Sequence, residues 1–130
     1  FQRVYSDLLE ADIGIIPVDT GFNPLPGRKI SYWEVKSENR LTLKMALGLP
    51  VIASPVPAYL DIIQQGINGY IARSRAEWLD AIDALRDPGH RREVGAAARS
   101  SVLERFSMEA QARKLISVLE SVSVEAALSD

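Results

Sequence analysis

The residues of this 130-residue chain best suited to chemistry are Lys36, Ser37, Glu38, Asn39 and Arg40. Ser37 is a natural N-cap, so a helix is expected to begin here, its free amides pointing outward with the positive end of the dipole. Lys36 and Arg40, four residues apart, flank that end. The combination suits a phosphate or diphosphate. A plain capped helix carrying solvated cations uses the same residues, and that reading stays open. Between Arg28 and Lys44 the chain carries five Lys or Arg against Glu34 and Glu38. A local excess of +3 thus sits in a chain whose formal net charge is -2. Nearby, Tyr32 and Trp33 offer rings to a base or sugar, or pack the loop onto the domain. Tyr59, after Ser54-Pro55-Val56-Pro57, and Asp19, just past a predicted strand, are further candidate contacts to a base or sugar. For both, packing or turn formation is the alternative.

Several chemistries drop out on composition. The chain has no Cys and a single His, His90, which removes thiol nucleophiles, thiolate zinc sites and histidine-rich metal centres. His90 follows Pro88-Gly89 on a predicted helix start and reads as a surface residue. With Lys and Arg totalling 15 against 17 Asp and Glu, nucleic acid is not an expected partner. The longest apolar stretch, Ala46 to Leu60, is broken by Pro50, Pro55 and Pro57, so no transmembrane segment is expected. Neither G-x-x-x-x-G-K-[ST] nor G-x-G-x-x-G occurs, which leaves P-loop and standard dinucleotide sites unsupported.

The elements that must position the basic motif follow from periodicity. Val4, Tyr5, Leu8 and Leu9 predict a helix over 2–11, and Ile13 to Pro17 a buried strand. Residues 18–36, with Gly21, Pro24, Pro26 and Gly27, read as a long loop of the kind that carries function. A helix follows and stops at Gly48; Val51-Ile52-Ala53 is a second buried strand. The next helix runs through Tyr59, Ile62 and Ile63 to Gly66, and Tyr70-Ile71-Ala72 is a third strand. Ser74 and Glu77 form a capping box for a helix with Trp78, Leu79, Ile82 and Leu85 on its core face. Asp87-Pro88 opens another, striped by Val94, Ala98, Val102 and Phe106. Ser107 caps the last, which carries Leu115, Ile116, Leu119 and Val122.

Alternation of this kind predicts an α/β fold: a Rossmann-like parallel sheet with helices on both faces, ending in three helices. Ligands of such sheets bind beyond the carboxyl ends of the strands, which here means 18–38, 54–58 and 73–75. About three strands make a thin sheet, and the chain opens on Phe1 inside a helical pattern. The expectation is therefore a partial domain over 1–124 with a frayed tail over 125–130, its first strand flanked by a strand upstream.

From the basic motif onward the chain resembles a known family. Lys36 to Arg40, then Met45-Ala46-Leu47-Gly48-Leu49-Pro50-Val51-Ile52-Ala53-Ser54, Asp61-Ile62-Ile63 and Gly66-Ile67-Asn68-Gly69 occur in order. Arg91-Arg92, Gly95, Ala98-Arg99 and Glu104-Arg105-Phe106-Ser107 follow. Together they are similar to the C-terminal, donor-binding half of GT-B glycosyltransferases of the retaining type. The resemblance implies a nucleotide-diphosphate sugar as substrate, a diphosphate held by Lys36, Ser37, Glu38, Asn39 and Arg40, and no metal or other cofactor. It also implies an N-terminal acceptor-binding domain outside this chain, a part in polysaccharide or glycoconjugate synthesis, and a cytoplasmic location, free or peripheral to a membrane. As a piece of such an enzyme the chain is expected to be inactive alone and to self-associate.

One departure stands out. Many members carry two glutamates eight apart, the first near the donor sugar and the second near the ribose. Alignment on Met45-Ala46 puts Val35 and Leu43 there. No catalytic residue is identified, and two other readings stay open: a non-catalytic nucleotide-binding or interaction module, and a nucleotide-sugar epimerase.

Overall fold

The computed structural model describes residues 2–21 and 26–128, with side chains for 6–21 and 26–122. Pro24, in the middle of the long loop, lies outside the described residues, as do Phe1 and the end of the expected frayed tail. The elements are α1 (Gln2–Leu9), β1 (Gly14–Ile16), a 3-10 helix (Tyr32–Val35), α2 (Asn39–Ala46), β2 (Val51–Ala53), α3 (Pro57–Leu60), β3 (Tyr70–Ile71), α4 (Arg75–Ala84), α5 (Pro88–Phe106) and α6 (Met108–Leu128).

The three strands form one parallel sheet in the order β1-β2-β3, with Gly14 opposite Val51 and Ile52 opposite Tyr70. Side chains alternate across a strand, so β2 feeds two cores. Val51 and Ala53 join Leu41, Met45, Val56 and Tyr59 on one face, while Ile52 joins Ala72, Ala81, Leu85 and Val94 on the other. Helices therefore cover both faces, as the α/β reading requires. α5 serves both cores, through Val94 on one side and Ala98 and Val102 on the other.

Three expectations about burial fail, each for a packing reason. Ile16 is buried but Ile15 is 57% exposed, because β1 is the edge strand among the described residues and β2 alone pairs with it. In α4 it is Ala81 and Leu85 that are buried, with Trp78 half-buried, while Leu79 and Ile82 stay exposed. The small Ala81 lets the helix lie close to the sheet and turns its larger neighbours outward. On α6, Leu115, Ile116, Leu119 and Val122 are all more than half exposed, since the described part of that helix meets only α5 substantially.

Two turns fix the frame of the site. At the end of α2 the amides of Gly48 and Leu49 bond the carbonyls of Met45 and Lys44 at 2.9 and 3.1 Å, a Schellman closure with Gly48 at φ 80°. α5 lies directly on this turn. A Cβ at Gly95 would come within 2.2 Å of the Gly48 carbonyl oxygen, and the Arg99 guanidinium donates to the Ala46 carbonyl. The second turn is Gly66 to Gly69. Buried Asn68 accepts from the Gln64 amide at 2.7 Å and donates to the Ile62 carbonyl at 3.0 Å and to Ser101 at 3.1 Å.

Alanine is the better helix former by about 1 kcal/mol, so Gly95→Ala on an ordinary helix would stabilise. Here the backbone of the Gly48 turn blocks the added methyl, and overpacking of this kind costs about 1–3 kcal/mol. Urea unfolding followed by circular dichroism is expected to show a net loss. A neutral or stabilised variant would mean that α5 does not depend on this contact.

Candidate functional site

The carboxyl ends of β1 and β2 are held together before any ligand arrives. The Ser54 amide donates to the Ile16 carbonyl at 3.1 Å, and the Val18 amide donates to the Ser54 hydroxyl at 2.8 Å. From β2 the chain turns through Val56, and Pro57 in the first turn starts the short α3. That places Tyr59 in the core beneath the 3-10 helix, which packs on α3.

The 3-10 helix holds itself by a local cap. The Ser31 amide donates to the Glu34 carboxylate at 3.0 Å, and the Glu34 amide donates back to the Ser31 carbonyl at 3.1 Å. Glu34 is thereby engaged in structure. α2 follows with Glu38, not Ser37, at its N-cap, and no side-chain hydrogen bond caps it. The Leu41 and Thr42 amides both bond the Glu38 carbonyl at 2.9 Å, which sets the first turn one residue later than Ser37 predicts. A helix start leaves the amides of Asn39 and Arg40 without intrahelical acceptors.

A cleft of about 320 Å³ opens at this helix start, lined by Tyr32, Val35, Lys36, Ser37, Arg40 and Tyr59. Lys36 is held in place from the side, with its Nζ 4.4 Å from the centre of the Tyr32 ring, within cation–π range. Burial pushes the Tyr59 hydroxyl above the usual phenol range; Arg40 works against that and Glu38 adds to it. Both charges therefore bear on the same hydroxyl. Two cations, a helix N-terminus and aromatic walls are the chemistry that suits an anion carrying a flat or apolar attachment.

The structure thus gathers Lys36, Ser37, Arg40 and Tyr59 and sets the other candidates apart. Glu38 acts electrostatically on Tyr59 but does not line the cleft. Asn39 lines a different groove, with Thr42, Leu43 and Phe106. Trp33 is half-buried and outside the cleft wall; Tyr32 takes that place. Asp19 is exposed and accepts from the Gly21 amide at 2.9 Å, a turn contact. The 3-10 helix itself had one sequence signal, the Ser31-x-x-Glu34 spacing of a capping box. His90 is not a free surface residue. Half-buried, it lies 2.7 Å from the Tyr70 hydroxyl, at the amino end of β3 and so away from the cleft.

The profile described as glycosyl transferase-like matches residues 29–117, a span that takes in the whole cleft. The chain belongs to that family. A solved structure of similar fold is that of Anabaena HepE in complex with UDP-glucose, at a TM-score of 0.57 and 14% identity. The match covers 88% of this chain and 29% of that one, so the chain spans less than a third of the length of HepE. At that identity the likeness speaks for the fold. No curated protein matches significantly. Val35, where the resemblance leads one to expect a glutamate, stands in the cleft wall.

Inorganic pyrophosphate is the simplest probe of this arrangement. Lys36→Ala and Arg40→Ala are each expected to weaken its binding roughly ten- to a hundredfold, as charge-assisted contacts of about 1.5–3 kcal/mol imply. The melting temperature should hardly change for Arg40→Ala, since an exposed cation adds little to folding, and should fall slightly for Lys36→Ala, which gives up a cation–π contact of about 0.5–1 kcal/mol. Isothermal titration alongside thermal melts reads both. A variant that binds normally returns its residue to a solvated helix face.

Proposed function

We propose that this chain is the donor-binding portion of a glycosyltransferase that moves a sugar from a nucleoside-diphosphate sugar to an acceptor. The observation that carries the reading is the convergence of Lys36, Arg40 and the α2 N-terminus on one cleft at the carboxyl ends of the strands. Family membership supports the reaction class. When the sugar's C1–O bond breaks, the departing diphosphate gains charge. Fixed cations and amides stabilise that charge without reorganising. The side chains of Lys36, Ser37 and Arg40, with the amides of Asn39 and Arg40, are assigned to the phosphates. The nucleoside is assigned to the Tyr32 side. Stereochemical retention, a metal-free reaction and a synthetic role in polysaccharide or glycoconjugate assembly belong to this reading as expectations from the resemblance.

The acceptor is assigned to a domain outside this chain, and the side of β1 that pairs with no strand among the described residues is assigned to a further strand of the same sheet. An isolated 130-residue chain is then expected to self-associate through that edge. Light scattering that finds a monodisperse monomer would count against this assignment.

A second reading has its own observation. Val35 lines the cleft where the resemblance leads one to expect a carboxylate, and Glu34, one residue away, is engaged by the Ser31 amide. A module that binds nucleotide without transferring sugar fits those two facts.

The first test is an amide-shift titration with UDP, GDP and ADP. UDP leads because HepE is solved with UDP-glucose. The largest shifts are expected within residues 32–60, and shifts elsewhere for all three nucleotides would overturn the site. Product analysis with a radiolabelled nucleotide sugar, on the full-length protein, then separates the readings. A transferred label supports the enzyme, unchanged donor supports the binding module, and an isomerised donor points to an epimerase.

A further inference from the structure

We propose that the Tyr59 hydroxyl completes the anion site at the start of α2, donating to a phosphoryl oxygen that Lys36 and Arg40 also hold. The inference rests on the donor-binding reading and adds a neutral donor to its two cations.

Tyr59 is 1% exposed, and its ring is part of the core cluster that includes Leu41, Met45 and Val56. Its hydroxyl has no hydrogen-bond partner among the described residues, yet none of their polar side-chain atoms is both sealed from solvent and unpaired. The hydroxyl therefore opens onto the cleft whose wall Tyr59 forms. A phenylalanine would fill the same core volume and avoid the desolvation cost of a half-sealed hydroxyl. The oxygen is explained by what it faces.

What it faces is charged. Arg40 and Glu38, both at the start of α2, act electrostatically on this hydroxyl, and Arg40 shares the cleft wall with it. A phenol is protonated at neutral pH, and burial shifts this one further the same way, so it is available as a donor. A phosphate offers several acceptor oxygens and can take hydrogen bonds from an ammonium, a guanidinium and a hydroxyl together. A base or sugar edge would leave the adjacent guanidinium without a counterpart. The chemistry of the wall thus favours phosphate as the partner of Tyr59.

Titrating wild type and Tyr59→Phe with UDP and with inorganic pyrophosphate, beside thermal melts, tests the assignment. The variant is expected to melt at or above the wild-type temperature, since an unpaired hydroxyl leaves the core edge. Its affinity for both probes is expected to fall about tenfold or more. Equal affinities overturn the proposal. So does a loss confined to UDP, which would place the hydroxyl on the nucleoside. A lower melting temperature with binding intact would make the hydroxyl structural and overturn it too. If wild type binds neither probe, the donor-site reading fails, and this inference with it; that result is told apart from the others before any variant is measured.

Discussion

The contact between Gly95 and the Gly48 turn sets where α2 lies, and with it the Arg40 end of the cleft. With only hydrogens between α5 and the Gly48 carbonyl, the longer helix fixes the end of the shorter one. α2 has eight residues, so its axis is about 12 Å long. An anchor at its C-terminal end therefore settles where its N-terminal amides, and Arg40 beside them, are aimed. Arg99 strengthens the same anchor by giving a cation to the Ala46 carbonyl, at the negative end of the helix. Neither glycine lies in the cleft. Their contribution to function is geometric, through a helix too short to bend.

Much of this was legible in the chain. Gly48 followed by Pro50 marked the end of α2, and the β-branched run of Val51 and Ile52 marked the central strand. Ser74, Glu77, Asp87 and Ser107 all appear at the helix starts they predict. What sequence patterns did not settle was which apolar stripe meets a partner. Leu79, Ile82 and the α6 stripe satisfy helical periodicity as well as Val94 and Ala98 do, but burial depends on what lies opposite. Periodicity carries no information about that. The same holds in reverse for His90, whose partner Tyr70 is twenty residues away on another element.

In the site, the basic cluster was readable because charge excess is a property of composition. Orientation was not. Ser37 has the side chain of an N-cap, yet the Leu41 and Thr42 amides both reach the Glu38 carbonyl, so the first turn closes one residue on. That shift of one residue leaves Ser37 ahead of the helix and in the cleft wall, and leaves Asn39 facing another groove. Similarly, the 3-10 helix between residues 32 and 35 has three residues per turn, which puts Tyr32 and Val35 on one side and Trp33 on another.

The charge count near the cleft does not say which charges are free to meet a ligand. Glu34 keeps its charge, but its carboxylate accepts from the Ser31 amide and holds the 3-10 helix in shape. Of the acidic residues there, only Glu38 acts on the hydroxyl that faces the cleft, and it does so against Arg40. Lys36, meanwhile, rests against the Tyr32 ring, a partner that fixes its position without cancelling its charge. A carboxylate partner would have fixed it equally well and neutralised it. Holding a cation by an aromatic face keeps it both ordered and available. This is the arrangement expected where a mobile anion is to be met, and it is not one that folding stability alone requires.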